Sequence, residues 1–246
     1  MSHHYLRFDH VHYTYPNGFH ALRDISFCLG HGEKVALIGT NGSGKSTLLL
    51  HTNGLLLPQE GSINVGGIPV SRQTLPLIRR AVGLVFQHPD DQLFMPTIEE
   101  DVAFGPLNMN LPPEEVERRV TQALESVGGS DWRYRGGHQL SGGQKRSAAI
   151  ATVLSMEPDI LIMDEPTSNL DAKARRQFIR LIQGFPHTCL IATHDIGLVR
   201  ELCPRTLVIH EGSLIADGDT SQVLANKGVQ EKTGIEAEQF PPPLVV

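Results

Sequence analysis

The chain has 246 residues, 40% of them hydrophobic, enough for a sizeable core in one domain or two small ones. Its 21 Lys and Arg against 27 Asp and Glu leave a formal charge of -6, which argues against a nucleic-acid-coating protein while leaving a local anion site open. Cys28, Cys189 and Cys203 are scattered and form no CxxC pair, so they read as reduced, mostly buried side chains rather than a disulfide frame or metal site.

No run approaches the roughly 18 apolar residues of a membrane span, and the polar start is unlike a secretion signal. A role at a membrane is therefore expected to come through a partner. His3, His4, His10 and His12 read as the solvated start of a strand rather than a metal-binding arm. The first 30 or so residues read as antiparallel strands, with Tyr13 and Tyr15 ahead of a Pro16-Asn17-Gly18 turn. Apolar runs predict buried strands over 34–38, 82–87, 159–163, 189–193 and 206–210. Helices are predicted over 114–127, with Val116, Val120, Ala123, Leu124 and Val127 on one face, and over 141–156, stopped by Glu157-Pro158. Strand–helix alternation of this kind predicts an α/β fold with a mainly parallel sheet, an N-terminal antiparallel β subdomain and a helical subdomain inserted over about residues 88–156. Residues 1–226 read as this domain, and 227–246, ending near Pro241-Pro242-Pro243, as a loose tail.

Gly39-Thr40-Asn41-Gly42-Ser43-Gly44-Lys45-Ser46-Thr47 follows one predicted strand and opens an apolar helix, the context a phosphate-binding loop requires. Glycines let the backbone wrap around phosphate, and the helix start adds its positive dipole end. Lys45 is placed to reach the β- and γ-phosphates of a nucleoside triphosphate and Ser46 to hold Mg²⁺. The strand Ile160-Leu161-Ile162-Met163 delivers Asp164 and Glu165 at its carboxyl end, a costly placement unless a cation awaits them. Asp164 is placed to hold Mg²⁺ and Glu165 to orient or deprotonate an attacking water. Leu140-Ser141-Gly142-Gly143-Gln144 offers a second anion cradle at a helix start. One nucleotide needs only one such loop, so a second in the same chain requires an explanation.

With these three motifs in this order, the first 225 residues or so resemble ABC ATPase nucleotide-binding domains, a P-loop NTPase family. The resemblance implies that two ATPs are sandwiched between two chains, identical or paralogous, with Ser141, Gly142, Gly143 and Gln144 clamping the γ-phosphate held by the other chain. It implies that Tyr15 stacks on adenine, with Tyr13 as its nearest rival, and that Gln87 senses Mg²⁺ and the attacking water. It also implies that Ser168-Asn169-Leu170-Asp171 crosses between the subunits and that His194 contacts the γ-phosphate. Members that organise chromosomes carry a long coiled coil and translation-type members carry two ATPase domains, whereas this chain has neither.

The stretch 87–105 is similar to the ATPases of energy-coupling-factor transporters, and the run 149–171 and the ending 231–243 to cobalt- or nickel-linked rather than vitamin-linked members. That similarity implies a transmembrane coupling subunit docked on Gln87–Met95, with Phe94 and Met95 giving apolar contact and Asp90 and Asp91 meeting basic groups. A cargo-binding membrane subunit would be engaged only indirectly, no nucleic acid is expected, and the chain would sit on the cytoplasmic face of the membrane. The competing expectations are a vitamin-importing energy-coupling-factor ATPase and an ABC-type switch with no transporter.

Overall fold

The structure is a computed structural model that describes residues 5–168 and 170–235. Strands β1 (Leu6–Thr14), β2 (His20–Leu29) and β3 (Lys34–Ile38) lead into helix α1 (Lys45–Thr52), followed by β4 (Glu60–Val65), β5 (Ile68–Pro69) and α2 (Leu75–Ala81). Next come β6 (Val82–Val85), α3 (Ile98–Asn108), α4 (Pro113–Ser126), α5 (Gly142–Leu154), β7 (Ile160–Asp164) and α6 (Ala172–Gly184). The chain continues through β8 (Thr188–Ala192), α7 (Ile196–Leu202), β9 (Arg205–His210), β10 (Ser213–Asp219), α8 (Thr220–Ala225) and α9 (Lys227–Thr233). Among the described residues no helix is long and apolar enough to cross a membrane.

Among the described residues two compact units emerge, one of residues 5–79 with 187–235 and one of residues 80–168 with 170–186. In the first, β2, β1, β4 and β5 pair antiparallel in that order. Also in this unit, β3 lies parallel to both β8 and β9, and β10 pairs antiparallel with β9. Strand β3 has Val35, Ala36, Leu37 and Ile38 all buried, as expected of a parallel strand covered on both faces. Its carboxyl end is therefore fixed by neighbours on either side, and the glycine loop starts from that fixed point.

In the second unit β6 runs parallel to β7, with Val82–Val85 opposite Ile160–Met163. Helix α4 buries Val116, Val120, Ala123 and Leu124. Helices α3 and α5 start on capping boxes, Thr97 with Glu100 and Ser141 with Gln144. These caps fix where each helix begins, which matters below because the second of them is the candidate cradle.

The expected loose tail needs correction at its start. Residues 227–233 form α9, because Asn226 caps it through the Gly228 and Val229 N–H groups, Val229 is buried, and Gly234 in the left-handed region ends it. Pro241-Pro242-Pro243, His3, His4 and most of the stretch 231–243 lie outside the described residues.

Candidate functional site

In the first unit the glycine loop leaves β3 and feeds α1. Gly44 caps the helix with φ +110°, and a Cβ there would stand 2.6 Å from the Ala21 carbonyl oxygen, so both conformation and packing demand glycine. Lys45, only 7% exposed, donates from Nζ to the carbonyls of Gly39 (2.8 Å) and Thr40 (3.0 Å). The ammonium thus rests on the rim of its own loop, where a phosphate oxygen can replace those carbonyls. Ser46 is exposed at the start of α1. The hydroxyl of Thr47 instead lies 3.1 Å from Tyr15 Oη. Tyr13 is turned edge-on to Tyr15 at 5.1 Å and to the buried His51 at 4.7 Å between ring centres. His194, just past β8, donates from Nε2 to Asn41 Oδ1 at 3.1 Å. One unit therefore gathers Tyr15, the whole loop from Gly39 to Thr47, and His194.

In the second unit β7 ends with Asp164 buried at 8% exposure, and Glu165 follows with φ +48°. A non-glycine residue in the left-handed region carries strain of roughly 1–2 kcal/mol. The Glu165 carbonyl accepts from the Ser168 hydroxyl (2.9 Å) and the Ser168 N–H (3.2 Å), which hold that turn closed. The Ser168 hydroxyl in turn accepts from Arg146 Nη2 at 2.8 Å. Arg146 lies on α5, 3% exposed, and also donates to the carbonyls of Phe86 and Gln87. Burial pushes its pKa down, and the Asp164 and Glu165 carboxylates push it back up.

Ser141 Oγ accepts from the Gln144 N–H at 3.3 Å, and Gln144 Oε1 accepts from the Ser141 N–H at 2.9 Å, so both side chains first serve as a helix cap. A Cβ built on Gly142 would meet nothing within 4 Å, and one on Gly143 only a Leu170 methyl at 3.7 Å. Glycine weakens a helix by up to about 1 kcal/mol relative to alanine. Among the described residues nothing demands glycine at Gly142, and the space beside it is open. Asp171 caps α6 through the Ala174 N–H at 2.8 Å, and Asn169 lies outside the described residues.

Gln87 is exposed beyond β6. Beside it, Phe94 (62% exposed) packs edge-on against Phe104 (44% exposed), with ring centres 5.1 Å apart. Asp90, expected to be available to a basic partner, already takes Lys145 Nζ at 2.6 Å. Gln92, which the sequence pattern did not single out, receives the Phe86 N–H and donates to Ala149 O and Thr152 Oγ1. Asp101 and Arg146 also escaped notice; their place on an apolar helix face signals burial, but not the distant groups that each one bonds.

Among the described residues no cluster of three or more His, Cys, Asp or Glu could cage a metal ion. The Ser46 hydroxyl in one unit and the Asp164 carboxylate in the other are each a hard oxygen donor. Donors of this kind suit Mg²⁺, which keeps few protein ligands and takes the rest from phosphate and water.

Residues 22–168 match the family model described as ABC transporter. The chain belongs to the ABC transporter family. It is an ABC ATPase, a P-loop NTPase by fold, and its cofactors are ATP and Mg²⁺. The energy-coupling factor transporter ATP-binding protein EcfA1 of Methanospirillum hungatei is 42% identical over 233 residues, covering 93% of this chain and 84% of that protein. The structure of CbiO1 from Clostridium perfringens, part of the ABC transporter complex cbiONQ, superposes with a TM-score of 0.80 at 39% identity, covering 95% of this chain and 96% of that one. The ATP-binding cassette MJ0796, dimeric and bound to ADP and Pi in a post-hydrolysis state, matches with a TM-score of 0.80 at 29% identity, covering 87% of this chain and 98% of that one.

Proposed function

We propose that this ABC ATPase energises an energy-coupling-factor type importer from the cytoplasmic face of a membrane, with cobalt or nickel ions as cargo. The observation that carries the ATPase dimer is the pair of unlike phosphate cradles in one chain, one closed around Lys45 and one left open at Gly142. Similarity to EcfA1 and CbiO1 supports the transporter class, and the resemblance of 149–171 to cobalt- or nickel-linked members supports the cargo.

In this proposal the loop from Gly39 to Thr47 wraps the triphosphate, Lys45 bonds its β- and γ-oxygens, and Tyr15 stacks on the base. Ser46, Asp164 and Gln87 would hold Mg²⁺, which when bound offsets charge on the phosphate oxygens. Glu165 takes the proton of the attacking water, a contribution of about 10²–10⁴-fold in rate. His194 steadies the γ-phosphate as negative charge shifts during its transfer to that water. Ser141 and Gly143 of each chain meet the γ-phosphate held by the other, with Gly142, Gln144 and Asp171 shaping that face. Closing a mostly open pair needs differential binding of roughly 5.5 kcal/mol, within reach of two such γ-phosphate sites with several charge-assisted bonds each. Hydrolysis removes those contacts and reopens the pair. The motion reaches a transmembrane subunit through Gln87–Met95, where Phe94 and Phe104 present apolar surface, and a cargo-binding subunit beyond it.

Purification from detergent-solubilised native membranes, with mass spectrometry of the companions, tests the transporter. A small multi-helix membrane protein together with a metal-binding partner supports cobalt or nickel, and a vitamin-binding partner changes the cargo. Recovery alone and only from soluble extract overturns the transporter while leaving the ATPase. Lys45→Ala is expected to abolish nucleotide turnover, and Glu165→Gln to trap an ATP-bound dimer visible by light scattering.

A further inference from the structure

Three segments converge on one buried guanidinium. Arg146 Nη1 donates to Phe86 O at 2.9 Å, and Nη2 donates to Gln87 O at 2.5 Å and Ser168 Oγ at 2.8 Å. Ser168 passes the link on to the carbonyl of Glu165, the residue with the left-handed backbone. Arg146 sits five positions after Ser141, on the helix that the Ser141–Gln144 box begins. One planar, rigid donor group therefore ties the start of α5 to the Gln87 backbone and to the turn bearing Glu165.

We propose that Arg146 is a positioning residue for ATP hydrolysis, holding Gln87 and Glu165 in register with the phosphate-facing start of α5. The carbonyls of Phe86 and Gln87 have no helix or strand to fix them, since β6 ends at Val85. The Glu165 turn has a left-handed backbone, closed by the N–H and the hydroxyl of Ser168, and that hydroxyl is held by Arg146. Both depend on Arg146, directly or through Ser168. Displacement of the Ser141 end of α5 is thereby transmitted to the catalytic side chains of the same chain. In a head-to-tail dimer that end faces the ATP held by the partner, so loading of one site readies the other. The transmission rests on the dimer proposed above, whereas the positioning within one chain does not.

The test uses the full chain with Ser168→Ala and Arg146→Lys. Ser168→Ala removes one hydroxyl and keeps the backbone bond to Glu165. Lysine keeps the charge but lacks the fork that spans three acceptors. Both variants are expected to melt within a few degrees of the parent, to keep KM for MgATP within about twofold, and to lose about tenfold or more in kcat. The Hill coefficient for ATP should fall towards one. Unchanged kcat in a folded Ser168→Ala overturns the positioning role, even if Arg146→Lys fails to fold. A KM that rises in step with the loss of kcat also overturns it, because that is a binding effect. A low kcat with an unchanged Hill coefficient overturns the transmission alone. Absence of an ATP-dependent dimer in Glu165→Gln defeats the sandwich and, with it, the transmission, while kcat still decides the positioning.

Discussion

Tyr15 Oη lies 3.1 Å from Thr47 Oγ1, so the aromatic that precedes the turn of the β subdomain is tethered by its hydroxyl to the first turn of the phosphate-loop helix. The tether aims the ring from its edge and leaves the tyrosine only half-buried. Tyr13 is equally half-buried, and besides Tyr15 it packs edge-on against His51. Stacking of a base on an aromatic is worth about 1–3 kcal/mol, so Tyr15→Ala should raise the Kd for ATP about tenfold. Tyr15→Phe, which loses only the tether, should raise it two- or threefold. Tyr13→Ala should mainly lower stability, by about 2 kcal/mol, with little change in Kd. Nucleotide titration beside thermal melts separates the two, and the reverse order moves the base contact to Tyr13.

Gln92 joins the start of the Gln87 segment to α5 by receiving the Phe86 N–H at 3.1 Å and donating to Ala149 O at 2.8 Å and Thr152 Oγ1 at 2.6 Å. Gln92→Glu turns the donating end into a second acceptor facing the Ala149 carbonyl. Leaving such a group without a donor costs about 2–3 kcal/mol. The midpoint of urea unfolding should fall accordingly, and kcat should fall with it because the Phe86 N–H loses its link through Gln92 to α5. Equal stability of the variant would show that the amide is dispensable.

The parallel strands, the glycine loop that leaves β3 and the start of α5 were legible in the sequence because each is a local pattern. Val35–Ile38 and Ile160–Met163 are continuous apolar runs, and loop and acids follow at their carboxyl ends. The start of α9 was not legible, since its seven residues read as polar and only the Asn226 cap and the burial of Val229 secure it. Arg146, Gln92 and Asp101 were hidden for a related reason. Their roles come from carbonyls and N–H groups 6 to 60 residues away in the chain, which no spacing rule reports. Asp90 shows the converse, since an exposed acid that looked available to a partner is already paired with Lys145.

Asp101 sits inside α3 with its Oδ1 receiving the N–H groups of Phe94 and Met95, both at 3.0 Å, and so shapes the segment assigned to the membrane partner. Burial raises its pKa above the ordinary 3.8, against the lowering effect of those two bonds. With the folded pKa above the unfolded one, the native state binds the extra proton, and stability is lost as pH rises from about 4 through the folded value. Asp101→Asn keeps an acceptor for both N–H groups and cannot ionise, so its stability relative to the parent should improve as pH rises from 4 to 7. Glu115 works in the opposite sense, because Arg118 and Arg119 hold its carboxyl at about 2 and that stability is lost as pH falls. The parent-minus-Asn difference cancels Glu115 and isolates Asp101. Asp101→Ala, which orphans both N–H groups, should cost about 2–3 kcal/mol at either pH. A flat parent-minus-Asn difference from pH 4 to 7 would place the charge of Asp101 in water.

Gly142 offers the sharpest separation of stability from function. It opens α5, has open space where a Cβ would project, and has no internal contact that a methyl would disturb. Alanine is the better helix former, by up to about 1 kcal/mol in a helix interior and less at a first position. Gly142→Ala should therefore melt at the same temperature as the parent or slightly above it. Its affinity for a single ATP at the Lys45 loop should be unchanged, because the added methyl meets nothing within 4 Å. If the phosphate of a second chain's nucleotide comes within contact distance of the α5 start, the added methyl stands in its path. The expected result is a fall in kcat of tenfold or more, with loss of the ATP-dependent dimer in the Glu165→Gln background. A variant that is more stable and fully active would mean that nothing approaches Gly142 during turnover, and the second cradle would then need another ligand.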